Sequence, residues 1–163
     1  MDIKIPFYHL VNVLLTGLVF IGGGAILLPE HAVKILRESF SECISVGPET
    51  IVVICFLAIA YELGLTINRI GSIVEFFLIK GKLIPFNEDY KLFNERKKRY
   101  PILDILSREY ALSRTRIALF LILSILAGAT SHWAMGFIYV LILATYFMSC
   151  RKHASKIVEL MDN

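Results

Sequence analysis

The feature that most constrains this chain is a set of four apolar segments, each close to the length that crosses a bilayer. They cover residues 5–28, 50–70, 117–131 and 133–150. A helix needs ~20 apolar residues to span the hydrocarbon core of a membrane. Hydrophobic residues make up 56% of the chain, against ~45–50% in soluble domains. The sequence therefore predicts an all-α integral membrane protein with four transmembrane helices in a single domain.

The distribution of basic residues predicts the orientation of these spans. Segment 80–116 holds ten Lys and Arg residues, whereas loop 29–49 holds two against four acids. Loops rich in Lys and Arg remain on the cytoplasmic side. We therefore expect segment 80–116 and both termini to be cytoplasmic, which an even number of spans allows.

Helix breakers are absent where the second and third spans approach the basic segment. No Gly or Pro lies between Ile102 and Ala127, and the second span has no break before Gly81. A helix over 49–80 would be ~48 Å long at ~1.5 Å per residue, but the hydrocarbon core is only ~30 Å thick. The spacing therefore predicts that helices two and three extend into a cytoplasmic stalk, joined by a basic loop.

Between the first two spans, residues 30–45 have an amphipathic helical pattern. Val33, Leu36, Phe40 and Cys43 recur on one helical face. Such a helix either lies on the outer membrane surface or caps the bundle, and the sequence leaves both open. The run of three glycines at 22–24 before it favours a loosened, loop-like end of the first span.

Polar side chains interrupt the first and second spans. Glu62 and Arg69 lie in the second span, and His9, Asn12 and Thr16 form a stripe on the first. An acid at membrane depth should face the bundle interior and find a partner. We therefore expect Glu62 to contact His9 or Asn12, with Arg69 near the inner interface. Packing contacts, a proton or ion path, and an oligomer interface all remain open for this cluster.

Small residues mark a different face of the second span. Ala60, Gly64 and Gly71 lie nearly opposite the acid and allow close approach of another helix. We interpret them as a seam between copies of the chain, which predicts a homo-oligomer.

A strongly basic run follows in the cytoplasmic segment. It contains Arg96, Lys97, Lys98 and Arg99. Such a run binds anionic lipid headgroups or a cytosolic protein partner. Nucleic acid is not expected, because no nucleic-acid-binding fold surrounds the run.

Chemistry-bearing motifs are not evident. Cys43, Cys55 and Cys150 are far apart, and the four histidines show no ligand spacing. No nucleophile–base arrangement or phosphate-binding loop occurs. The sequence predicts no metal, no cofactor and no enzymatic activity.

Two passages carry a resemblance to a known family. The passages "ELGLTINRIGS" and "SREYALSRTR" resemble small four-span membrane proteins of bacterial phage-defence loci, such as the membrane subunit of the Kiwa system. The resemblance covers residues 50–130. It implies a bacterial inner membrane, a homo-oligomer and a cytosolic effector partner, and brings no catalytic residues.

Two classes of function follow from these observations. The first is an oligomeric membrane sensor or scaffold whose stalk recruits or regulates a cytosolic effector. The second is an ion- or proton-conducting pore lined by polar stripes. The long stalk favours the first class, as does the lack of a second strongly polar span.

Overall fold

A computed structural model describes residues 7–40, 46–85 and 90–162. These residues form six helices and no strand. The helices are α1 (Phe7–Leu27), α2 (Pro29–Phe40), α3 (Val46–Lys80), α4 (Tyr90–Arg99), α5 (Ile102–Ala129) and α6 (Trp133–Asp162). Four of them, α1, α3, α5 and α6, are long and apolar enough to cross a membrane. The prediction of an all-α chain with four such helices is confirmed.

Helix α5 lies at the centre of the bundle. It packs against α1, α3 and α6, while α1 also packs against α3. Its side chains Leu119 and Leu123 are fully buried in a core that α1, α3 and α6 complete. We call the end of the bundle that holds His9, Lys80 and Ile102 the basic end, and the opposite end the hairpin end.

A tight turn joins α5 to α6 at the hairpin end. Ser131 takes a positive φ of 60°, and the backbone N–H of His132 donates to the carbonyl of Ala127 at 2.9 Å. The His132 ring also lies 2.8 Å from the carbonyl oxygen of Thr130. The close hairpin between the last two apolar segments is thus confirmed.

The three glycines of α1 are helical, so the prediction of a loosened end is wrong. A Cβ at Gly23 would lie 3.0 Å from the side chain of Leu123 and 3.4 Å from the hydroxyl of Tyr139. Gly22 and Gly24 have nothing within 4 Å of such a Cβ. Gly23 therefore allows α1 to approach α5 and α6 closely.

Helix α2 follows α1 almost without interruption. The N–H of Leu28 donates to Gly24 at 2.9 Å, and the N–H of Ala32 donates to Leu28 at 3.0 Å. Pro29 has no N–H, which removes one bond of this series and separates the two helices. The helix covers Pro29–Phe40 of the predicted 30–45, and Cys43 lies outside the described residues. Val33 is 63% exposed, and neither the surface position nor the capping position is tested.

The long helices extend further than the apolar segments do. Helix α3 has 35 residues, or ~52 Å at ~1.5 Å per residue, and α5 runs unbroken as predicted. Helix α6 continues to Asp162, beyond the predicted end of its span at 150. At the basic end Ile84, Tyr110 and Cys150 form a second core, which joins α6 to the ends of α3 and α5.

The basic loop contains a helix that the sequence analysis did not predict. Helix α4 has 10 residues and packs against α5 and α6. Pro101 is the N-cap of α5, one position before the N1 position at which proline is favoured.

Candidate functional site

Helices α1 and α3 approach each other very closely. A Cβ at Gly17 would lie 1.7 Å from the carbonyl oxygen of Ala60, and a Cβ at Gly64 would lie 1.9 Å from that of Val13. The two backbones are therefore in direct contact, as small residues permit between membrane helices. Ala60 is fully buried in this contact.

The small-residue face of α3 is therefore occupied within one chain. Ala60 and Gly64 contact α1, while a Cβ at Gly71 would lie 3.2 Å from Thr115 Cα of α5. The interpretation of Ala60, Gly64 and Gly71 as a seam between copies is wrong, because these backbones have no room for another chain. Homo-oligomerisation itself stays a prediction.

The same face of α3 brings Asn68 against α5. Asn68 lies four residues after Gly64, and residues four apart share a helical face. The hydroxyl of Thr115 donates to Asn68 Oδ1 at 2.8 Å and also lies 2.9 Å from the carbonyl oxygen of Ala111. Asn68 is thus a polar residue that α3 directs into the bundle.

A partly open cleft of about 240 Å³ lies beside Asn68, between α1, α3 and α5. Its lining combines polar and apolar side chains from all three helices: Tyr8, His9, Asn12, Val13, Thr16, Asn68, Arg108, Ala111, Leu112, Arg114 and Thr115. The cleft lies towards the basic end and is the candidate functional site.

The polar stripe of α1 contributes to this cleft. His9, Asn12 and Thr16 all line it, with His9 exposed and Thr16 buried. Thr16 Oγ1 donates to the carbonyl of Asn12 at 2.7 Å. Near the mouth, the hydroxyl of Tyr8 donates to Glu109 Oε1 at 3.2 Å, which connects α1 to α5.

Glu62 and Arg69 do not join the stripe. Both side chains are exposed on the outside of the bundle. Glu62 is two residues from both Ala60 and Gly64, which places it ~200° around the helix from the face that contacts α1. The predicted contact of Glu62 with His9 or Asn12 is therefore wrong, and Asn68 takes the place assigned to the acid.

An ion pair that the sequence analysis missed lies beside the cleft. Arg114 Nη1 of α5 pairs with Glu75 Oε2 of α3, and the two side chains are 22% and 13% exposed. Arg114 also lines the cleft, and its buried Nε has no hydrogen-bond partner among the described residues. Glu75 thereby joins α3 to α5.

The basic run lies on α4, where one of its members is engaged. Lys97 Nζ lies 2.5 Å from Asp104 Oδ1, and Arg108 Nη2 lies 2.5 Å from Asp104 Oδ2. Asp104 precedes the apolar part of α5. The hydrogen bond from Lys97, helped by the charge of Arg108, holds the pKa of this carboxyl below its ordinary value.

The other three side chains of the basic run are more available. Lys98 and Arg99 are exposed, and Arg96 is half-buried. The Arg99 guanidinium lies 5.7 Å from the centre of the Tyr100 ring, within cation–π range. Helix α4 thus presents two exposed cations, Lys98 and Arg99, while Lys97 holds the helix against α5.

Sequence reasoning missed Asn68, Thr115, Glu75 and Arg114, although one signal was present. Ala60, Gly64, Asn68 and Gly71 follow i, i+4, i+8 and i+11, which is one continuous helical face. A polar residue on a face of small residues points to a polar contact between helices.

No group of three His, Cys, Asp or Glu side chains that could hold a metal ion occurs in the described parts of the chain. The arrangement offers hydrogen-bond donors and cations in a cleft rather than a metal or nucleophile centre. No protein family, curated protein or solved structure matches this chain.

Proposed function

We propose that this protein is an oligomeric sensor or scaffold of the bacterial inner membrane, with both termini cytoplasmic, that recruits or regulates a cytosolic effector in anti-phage defence. The defence role comes from the resemblance of residues 50–130. The remaining parts of the proposal rest on the faces that the single chain leaves uncovered.

The observation that carries the proposal is the outward position of Glu62 and Arg69. Both lie within the apolar helix Thr50–Lys80, and both side chains are exposed. In the proposed topology Arg69 lies near the inner interface, but Glu62 lies deeper, where an ionised side chain facing lipid costs several kcal/mol on insertion scales. A second copy of the chain packed on this face would cover Glu62 and supply polar partners.

The recruiting surface is the basic end, where α3, α5 and α6 extend beyond the length that a bilayer requires. Their second core, with Ile84 2% exposed and Cys150 fully buried, makes this end rigid. Helix α4 packs on it and presents Lys98 and Arg99. Exposed cations on a rigid support suit an acidic protein partner or anionic lipid.

A specific observation also favours a pore as the second candidate. Glu62, Thr66 and Arg69 lie on the exposed side of α3, spaced three to four residues apart. In a ring of subunits this stripe would line a central path instead of a protein interface. The path would then be formed between copies of the chain and not inside one subunit.

One experiment separates the two candidates. It compares two variants in two assays, protection of cells against phage and ion flux into liposomes. The first variant is Glu62→Gln, and the second is a triple variant in which Arg96, Lys98 and Arg99 are changed to Ser. Lys97 is kept because it holds α4 through Asp104. A scaffold loses protection on the triple change and keeps it with Glu62→Gln, because an amide retains the hydrogen bonds between copies.

The matched control changes three basic residues of α6 that are also exposed, Arg151, Lys152 and Lys156, to Ser. It removes the same charge from the same end and should leave protection intact. Flux through the wild type that Glu62→Gln abolishes and the triple change spares would contradict the scaffold and establish the pore.

A further inference from the structure

We infer that the cleft between α1, α3 and α5 binds a phosphate group, carried either by an anionic phospholipid or by a soluble phosphate ester. The inference concerns a ligand of the single subunit. It does not depend on partner recruitment, and only the lipid source depends on the proposed place of the protein in a membrane.

Side chains that line the cleft carry hydrogen-bond donors that have no acceptor within the described part of the chain. The Oδ1 acceptor of Asn68 is engaged by Thr115, and the hydroxyl of Thr16 is engaged by the α1 backbone. The side-chain amides of Asn12 and Asn68 keep their N–H donors free of partners among the described residues. Donors without acceptors suit a ligand made of oxyanions.

Two arginines, Arg108 and Arg114, line the cleft. Arg108 shares the carboxylate of Asp104 with Lys97, and the carboxylate of Glu109 near the mouth accepts a hydrogen bond from Tyr8. The acids balance the charge, but Arg108 keeps further N–H donors for a ligand. Arg114 is neutralised by Glu75 but keeps a buried Nε–H without an acceptor. An arginine fork binds two phosphate oxygens at once, which a lysine cannot do.

The exposure of the lining side chains decreases from the mouth of the cleft to its floor. His9 and Arg108 at the mouth are exposed, whereas Val13 and Thr16 at the floor are 4% and 1% exposed. Apolar Val13, Ala111 and Leu112 also line the cleft. A volume of about 240 Å³ takes a headgroup and its first carbons, but not a whole lipid.

In the proposed topology the cleft lies near the level of the inner leaflet headgroups. Asn68 is one residue from Arg69, roughly 20 residues after the span enters the membrane near residue 50, which is about the length of one crossing. The nearest abundant phosphate at that level is a phospholipid headgroup, while the mouth at His9 and Arg108 also admits a soluble ester from the aqueous side.

The test measures binding to the purified full chain in detergent by native mass spectrometry. The probes are phosphatidylglycerol, phosphatidylcholine with matched acyl chains, and glycerol 3-phosphate as a soluble competitor. The variants are Arg108→Gln and Asn68→Leu, and Lys152→Gln is the control because Lys152 is an exposed cation of α6 away from the cleft. Thermal unfolding of each variant checks that it remains folded.

The expected result is that phosphatidylglycerol binds more tightly than phosphatidylcholine, with about a tenfold loss in Arg108→Gln, since a charge-assisted hydrogen bond contributes that much affinity. Lys152→Gln binds as the wild type does. Displacement by glycerol 3-phosphate identifies a soluble ester as the ligand, and its failure to compete identifies the lipid. Two results would overturn the inference. The first is equal binding of both lipids, and the second is wild-type binding of phosphatidylglycerol by both single variants, Arg108→Gln and Asn68→Leu.

Discussion

The two sides of α3 differ in a way that hydropathy alone does not show. The side that holds Ala60, Gly64 and Asn68 packs against α1 and α5, while the side that holds Glu62 and Arg69 is exposed. Between residues 60 and 69 the inward side carries the smallest residues, whereas the acid and the base lie on the outward side. Since lipid is as apolar as a leucine side chain, close packing decides which side of a membrane helix turns inward.

The largest effect is expected from the two glycines at the contact between α1 and the inward side of α3, Gly17 of α1 and Gly64 of α3. Gly17→Ala and Gly64→Ala each place a Cβ less than 2 Å from a backbone oxygen, at 1.7 Å and 1.9 Å. The helices must then separate, and we expect several kcal/mol of lost stability or no folded protein. Thermal unfolding in detergent measures this, with Gly24→Ala as the matched control because its Cβ would meet nothing within 4 Å. A Gly64→Ala protein as stable as Gly24→Ala would remove the basis of the comparison.

A smaller but still large effect is expected from the Glu75–Arg114 pair. Glu75→Gln leaves the mostly buried Arg114 without its counter-charge, which costs about 3–5 kcal/mol in buried pairs. The double variant Glu75→Leu with Arg114→Leu should recover much of this loss, because it removes both charges. Thermal unfolding of Glu75→Leu, Arg114→Leu and the double variant measures the coupling energy between the two side chains. Additive losses would mean that the pair contributes nothing to the contact of α3 with α5.

The sequence was sufficient for the number of long apolar helices, but not for where each helix ends or how it is rotated. Uninterrupted apolar residues predict a span, and the absence of breakers between Ile102 and Ala127 predicted α5 well. The end of α6 was missed because Arg151 and Lys152 end the apolar run while the helix continues. The length of an apolar run indicates which part of a helix suits the membrane interior, but it does not indicate where the helix ends.

The candidate site was only half predictable for a related physical reason. The stripe of His9, Asn12 and Thr16 on α1 was recognised from its spacing, and it lines the cleft. The sequence analysis predicted Glu62 as the partner of this stripe on α3, because it gave more weight to charge than to close packing. The choice between Glu62 and Asn68 depends on which face contacts α1, and that is a property of two helices together.

A smaller effect on the fold is expected on the outward side. Glu62→Leu should change the stability of the single subunit by less than about 0.5 kcal/mol, because an exposed side chain away from the core is replaced. The same change should remove the association of subunits, since the proposed contact between copies loses its polar group. Native mass spectrometry in mild detergent and thermal unfolding measure the two effects separately. Unfolding of the subunit by Glu62→Leu would show that the acid is required inside the bundle after all.

A comparably small effect on stability, with no effect on the association of subunits, is expected at the contact of α4 with α5. Asp104→Asn removes the partner of Lys97 and Arg108, and a partly exposed pair of this kind contributes about 0.5 kcal/mol. The pKa of Asp104 is lower in the folded protein than its ordinary value of 3.8. The contribution is therefore present above pH 3.8 and is lost as the pH falls through the lowered pKa. Proteolysis between α4 and α5 as a function of pH measures it, and Asp104→Asn should abolish the pH dependence.

The turn at Ser131 also has a consequence for the order in which the protein is made. Helices α1 and α3 leave the ribosome before α5, so their glycine contact forms while the central helix is still missing. Helices α5 and α6, joined by one short turn, then enter as a hairpin whose contacts are local in sequence and quick to form. Helix α5 supplies the third side of the cleft. A nascent chain that ends before residue 102 would therefore contain the contact between α1 and α3 but not the complete cleft.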